Sequence, residues 1–99
     1  MKPKWYKFID KYYEGWIRKE PCLVCQSNEV HCHHVDHARR NAYMSVPLCP
    51  EHHTMGPYAY HIIEREAFEE KHKLNLDWEI MKLMMKYIQK LGGNHDETL

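Results

Sequence analysis

The chain has 99 residues, with 14 basic and 14 acidic side chains and a formal net charge of zero, and it contains nine histidines and four cysteines. This length predicts one domain over 1–99, near the lower limit for a hydrophobic core that has no metal to support it. Balanced charge argues against a protein that coats nucleic acid non-specifically. The sequence shows neither a membrane span nor a signal-peptide core, so we expect a cytoplasmic protein. In that compartment closely spaced cysteines favour metal binding over disulfides.

The first half of the chain predicts a helix followed by two strands. Apolar side chains recur at three- and four-residue intervals from Trp5 to Ile17, which predicts an amphipathic helix within 1–20 that ends before Pro21. Two short β-prone runs follow, EVHCHHV (29–35) and SVPLC (45–49), with a polar loop between them.

The second half predicts helices. EREAFEEKHKL is typical of a charged helix, and DWEIMKLMMKYIQKL predicts a C-terminal helix within 74–93. Asp77 is expected to cap its start and Gly92-Gly93 its end, and the tail 94–99 is expected to fray. Its apolar stripe is expected to face the core: Trp78, Met81, Met84, Met85, Ile88 and Leu91.

Two short motifs supply the ligands of a closed zinc site. Cys22 and Cys25 form a C-x2-C pair, and Cys49 and His52 form a C-x2-H pair. Two-residue spacing lets both members of a pair reach one ion, and three thiolates with one imidazole make a tetrahedral zinc set. The sequence therefore predicts one structural Zn²⁺ per chain, against the alternative of isolated buried cysteines and an exposed histidine. Cys32 is expected to be a small buried side chain.

Histidines exceed what one zinc site needs, in the pairs His33-His34 and His52-His53. Neutral imidazole is both a metal ligand and a base near neutral pH. The surplus predicts either a second, open, catalytic metal site or a solvated histidine-rich loop, and spacing does not choose between them. Strand alternation would place His33 and His34 on opposite faces unless the strand ends, twists or bulges there. Other histidines are expected to be structural or solvent-exposed: His31, His37 and His72.

The segments HCHHV, VPLCPEHH and YHIIEREAFEEKH together resemble the HNH nucleases. More narrowly, they are similar to the phage recombination-enhancement, RecA-dependent nuclease family, with a match over 21–72. The resemblance implies an α+β fold in which a zinc-stabilised ββα-metal unit (21–73) is flanked by the N-terminal helix and the C-terminal helices. It also implies an endonuclease or nickase that hydrolyses DNA phosphodiester bonds in phage or prophage DNA metabolism or recombination.

The resemblance further implies roles for individual residues. His34 matches the general base that deprotonates water, and His33 and His53 match ligands of a catalytic Mg²⁺ or Mn²⁺. His61 matches an additional histidine that ligates this metal or contacts the scissile phosphate. Asn41 matches the middle residue of the motif, which would orient His34 through the loop backbone, although it lies further from Cys49 than is usual.

The resemblance implies DNA as the partner and suggests a recombinase filament on single-stranded DNA as a second one. Arg39 and Arg40 in the polar loop are candidates for phosphate contacts, or else belong to a solvated loop. The competing hypothesis is a non-catalytic zinc module that binds nucleic acid or a protein partner. Neutral charge slightly favours that module, and the paired histidines favour the enzyme.

Overall fold

The computed structural model describes residues 10–35 and 41–92. In chain order the elements are α1 (Lys11–Ile17), β1 (His31–His34), β2 (Ser45–Leu48), a π-helical turn (Glu51–Met55), α2 (Tyr60–His72) and α3 (Leu76–Leu91). The predicted α+β class is confirmed, with one two-stranded sheet. Among the helices in the described ranges, none is long and apolar enough to cross a membrane.

The strands form an antiparallel hairpin in which His31 pairs with Leu48 and His34 pairs with Ser45. Along β1 His31 is exposed and His33 is buried, while Cys32 and His34 are half-buried. Successive side chains of a strand point to opposite faces. His31 and His33 therefore share one face of the hairpin, and Cys32 and His34 share the other.

Helix α1 begins at a well-defined cap and packs on the hairpin. The carboxylate of Asp10 accepts hydrogen bonds from the backbone N–H groups of Tyr12 and Tyr13, at 2.9 and 3.1 Å. The hydroxyl of Tyr43 also donates to this carboxylate. The Tyr43 hydrogen bond and then the Tyr13 N–H lower the pKa of Asp10, since they favour its charged form. The predicted helix over 1–20 is thus seen from Lys11, and residues 1–9 lie outside the described ranges.

Helix α3 buries a different face from the one that the sequence predicts. Leu76, Ile80 and Leu83 are buried, whereas the predicted stripe is largely in solvent, with Trp78 55% and Met85 56% exposed. The expectation that this stripe is core is wrong. The start of α3 also differs from the prediction, because its cap is Asn75 and not Asp77. The side-chain oxygen of Asn75 accepts a hydrogen bond from the N–H of Trp78, at 3.0 Å.

The core lies between the hairpin and the helices. Its buried members come from α1, β2, α2 and α3 and from the loops beside the strands: Tyr13, Ile17, Cys22, Val35, Val46, Leu48, Cys49, Tyr60, Phe68, Leu76, Ile80 and Leu83. Two members, Cys22 and Cys49, belong to the predicted zinc set, so the metal-binding residues lie at the edge of the core. Burial of side chains in such a core is the main stabilising contribution of a small fold.

The π-helical turn and α2 lie beside the face of the hairpin that carries His31 and His33. The turn follows Pro50 and ends at Gly56, whose N–H donates to the carbonyl of Glu51 at 2.8 Å. A Cβ on Gly56 would lie 2.7 Å from that carbonyl oxygen, so glycine is needed there. Helix α2 starts at Tyr60, but its path is interrupted at Glu64, which has a φ of 67°. This interruption sets the turn that holds His61 apart from the rest of α2.

Candidate metal centres

Four predicted ligands converge where the two ends of the hairpin meet. Ligand atoms of Cys22, Cys25, Cys49 and His52 lie within 4.8 Å of one another. The separations are 3.6 Å from Cys25 Sγ to Cys49 Sγ, and 3.8 and 3.2 Å from His52 Nδ1 to Cys22 Sγ and Cys49 Sγ. A tetrahedral zinc with thiolate and imidazole ligands places neighbouring ligand atoms about 3.3–3.8 Å apart. The cluster therefore fits a zinc site.

Local backbone geometry holds these ligands in place. The N–H of Gln26 donates to the carbonyl of Cys22 at 3.0 Å, which closes the first turn, and the N–H of Leu23 donates to the carbonyl of Pro47 on β2 at 3.1 Å. Around the Cys22 sulfur, burial raises the thiol pKa, but hydrogen bonds from Cys49, Cys25 and Val24 outweigh it and leave the pKa lowered. Burial raises the pKa of Cys49 instead. Neighbouring thiols resist joint ionisation, and a cation relieves that repulsion.

A second group of imidazoles lies on the face of β1 that carries His31 and His33. Nε2 of His53 is 3.2 Å from Nδ1 of His33 and 3.2 Å from Nε2 of His61. Three nitrogen ligands at about 2.1 Å from one metal are about 3.0 Å apart in octahedral geometry and about 3.4 Å apart in tetrahedral geometry. Two of the three separations in this triad (His33, His53 and His61) are thus those expected between ligands of one ion, and all three ligand atoms lie within 4.8 Å of one another.

His31 completes this group, although the sequence analysis predicted no part for it in metal binding. Its Nδ1 lies 2.8 Å from Nδ1 of His53, the ring nitrogen that does not face the triad. A metal-ligating histidine is usually held by a hydrogen bond at its other nitrogen, which fixes the ring and its tautomer. The signal was present in the sequence, because His31 and His33 are two residues apart on a strand and share a face.

His34 lies apart from the triad. Its Nε2 is 2.7 Å from Oε2 of Glu14 on α1, and the thiol of Cys32 belongs to the same half-buried group. The adjacent pair His33-His34 therefore divides between the two faces of β1, as strict alternation requires. Burial raises the pKa of Cys32, which favours its neutral thiol. Glu14 was missed in the sequence because nothing local connects a helix residue with a strand residue 20 positions later.

The remaining predicted site residues stand elsewhere. Asn41 organises the turn before β2, where its side-chain oxygen accepts the N–H of Tyr43 at 2.9 Å and its carbonyl accepts the N–H of Met44 at 2.9 Å. In the described residues the polar partner of His34 is Glu14 rather than Asn41. Arg39 and Arg40 lie outside the described residues.

Comparisons with family models, with curated proteins and with solved structures yield no match for this chain. The likeness to HNH nucleases therefore rests on the quoted motifs alone.

Proposed function

We propose that the chain is a metal-dependent endonuclease or nickase of the HNH type, which hydrolyses DNA phosphodiester bonds. The observation that supports this most is the division of the histidines. One of the doublet His52-His53 belongs to a cluster that fits zinc, and the other belongs to a separate set of three convergent imidazoles. A purely structural zinc module needs only the first set.

The triad is the proposed holder of the catalytic ion. His33, His53 and His61 offer only nitrogen, and imidazole suits transition metals, whereas Mg²⁺ takes oxygen ligands. Of the two ions that the resemblance implies, Mn²⁺ is a better candidate than Mg²⁺. Co²⁺, Ni²⁺ and Zn²⁺ suit a set of three imidazoles better still. Such an ion would supply charge stabilisation at the scissile phosphate and at the leaving oxygen.

His34 is the proposed general base, and Glu14 is its positioning residue. In the tautomer that donates Nε2–H to the Glu14 carboxylate, Nδ1 holds the lone pair that accepts a proton from water. The carboxylate also stabilises the imidazolium that forms after proton transfer. This pairing gives α1, which lies outside the HNH-like segment, a role in the proposed site.

The divergence of His33 and His34 suits an in-line reaction. The attacking water and the leaving oxygen lie on opposite sides of the phosphorus in such a displacement. A base that activates the water and ligands that serve the leaving oxygen therefore belong on opposite sides of the phosphate.

The test is nicking of a supercoiled plasmid by zinc-loaded protein with Mn²⁺, comparing the wild type with His34→Ala. We expect the variant to lose about 10²-fold or more in rate, the usual contribution of a general base. Zinc content and Mn²⁺ affinity serve as controls and should stay unchanged. Full activity of His34→Ala would remove the base assignment. A wild type that cleaves with none of Mn²⁺, Mg²⁺, Co²⁺ or Ni²⁺, either alone or with recombinase-coated single strands, would favour the non-catalytic zinc module.

Participation of a recombinase filament is the narrower part of the proposal, and it rests on the family resemblance. The same plasmid assay separates it from the reaction itself. Cleavage of bare plasmid by the chain alone would remove the need for a recombinase, while cleavage only after addition of recombinase-coated single strands would support it.

A further inference from the structure

A third group of metal-binding side chains lies on the face of β1 opposite the triad. Cys32 and His34 are two residues apart on the strand and share that face, and α1 brings Glu14 against them. One ligand atom from each residue lies within 4.8 Å of the other two. Nε2 of His34 and Oε2 of Glu14 are 2.7 Å apart, and the two side chains are 29% and 13% exposed.

The ligand chemistry selects the kind of ion. A thiolate and an imidazole with one carboxylate suit a borderline transition metal such as Zn²⁺, and a thiolate excludes the hard cations Mg²⁺ and Ca²⁺. Three protein ligands leave the fourth tetrahedral position to water. The partial exposure of His34 gives an ion a route to the site from solvent.

We propose that Glu14, Cys32 and His34 form a separate zinc-binding site, and that zinc bound there inhibits cleavage by occupying His34. On binding, the Cys32 thiol releases its proton to solvent. The proton on Nε2 of His34 moves to Nδ1, so that Nε2 can ligate the metal. Neither ring nitrogen then has a lone pair that can accept a proton from water. The inhibition rests on the proposed nuclease function, whereas the metal binding does not.

This site is weaker than the four-ligand cluster for two reasons. It has one thiolate, whereas Cys22, Cys25 and Cys49 give the cluster three. The contact between Glu14 and His34 must also open from 2.7 Å to the roughly 3.3 Å that separates neighbouring nitrogen and oxygen ligands of a tetrahedral ion. Zinc should therefore fill the cluster first and this site at higher concentration.

Binding is tested with cobalt, because thiolate ligation gives Co²⁺ a charge-transfer absorption in the near ultraviolet. Protein is loaded with one equivalent of Zn²⁺ and then titrated with Co²⁺. We expect the band to appear in the wild type and to be absent in Cys32→Ser and in Cys32→Val, two variants that guard against a folding defect in either one. A band of equal size in both variants would mean that cobalt had entered the zinc cluster, and no band in the wild type would mean that Cys32 is no ligand. Both results overturn the site.

Inhibition is tested by titrating Zn²⁺ into the Mn²⁺-supported plasmid assay. Cys32 has no part in the proposed reaction, so Cys32→Ser should cleave at the wild-type rate. The zinc concentration for half-inhibition should rise about tenfold or more, since loss of a ligand is at least as severe as the ~10–100-fold effect of losing a partner of a ligand. Equal inhibition of wild type and variant would place the inhibitory zinc at the triad and contradict the proposal. If the cobalt band depends on Cys32 but neither the wild type nor the variant cleaves plasmid, the metal site is supported and the nuclease function is contradicted.

Discussion

Replacement of Cys25 by serine isolates the contribution of zinc from that of packing. Cys25 is exposed, unlike the buried Cys22 and Cys49, so the substitution removes a ligand and leaves the core intact. Structural zinc sites of this type bind with about 10–16 kcal/mol. If four ligands share that free energy evenly, one thiolate accounts for roughly 2.5–4 kcal/mol, which is about two to three decades in dissociation constant. Small domains are stable by only about 5–15 kcal/mol. The variant should therefore lose a large part of its stability as well as its zinc.

The assay is competition for zinc with a chromophoric chelator, followed by thermal unfolding of the same samples. Cys32→Ser is the matched control, because it makes the same chemical change at a cysteine outside the four-ligand cluster. We expect the control to keep one tightly bound zinc and Cys25→Ser to release it at a chelator strength at least 10²-fold lower. Equal zinc retention by the two variants would refute the ligand set.

Four further substitutions probe three separate parts of the structure. His31→Ala should weaken Mn²⁺ or Co²⁺ binding at the triad about 10–100-fold with zinc content unchanged, and unaltered affinity in a metal titration would show that His31 does not hold His53. Ile80→Ala should lower the free energy of unfolding by about 2–5 kcal/mol and Met85→Ala by less than about 1 kcal/mol, as measured by denaturant unfolding; similar losses would contradict the observed orientation of α3. Asp10 has a native pKa below its unfolded value of about 3.9, so it stabilises the fold above that pH and this contribution is lost as the pH falls through the native pKa. The difference in unfolding free energy between wild type and Asp10→Asn should therefore be constant from pH 7 to 5 and shrink below pH 4, and a difference that does not depend on pH would refute it.

The hairpin and the zinc cluster could be predicted from sequence because their signals are local. Each pair of ligands lies within four residues of chain, and the β-prone runs lie directly between the pairs. Alternation along β1 was recognised as an obstacle to a shared site for His33 and His34, but the strand was expected to end, twist or bulge there, and both residues remain within β1. The same rule, applied two residues earlier, would have placed His31 beside His33.

The orientation of α3 could not be predicted, since this helix has apolar residues on two faces. Its sequence offers both Leu76, Ile80 and Leu83 and the stripe through Trp78 and Met85, and helical spacing is satisfied by each. Which face is buried depends on where α1 and β2 lie, and this is tertiary information. Contacts between α1 and β1, such as that of Glu14, are hidden for the same reason.

The proposed active site depends most on the division of the doublet His52-His53 between two metal centres. Its most direct test is one preparation of His53→Ala, in which zinc content and the Mn²⁺-supported plasmid cleavage rate are both measured. We predict one zinc per chain, as in the wild type, and a cleavage rate lower by about 10²-fold or more. Wild-type cleavage by this variant, or loss of its zinc, would contradict the division of the two histidines and with it the proposed active site.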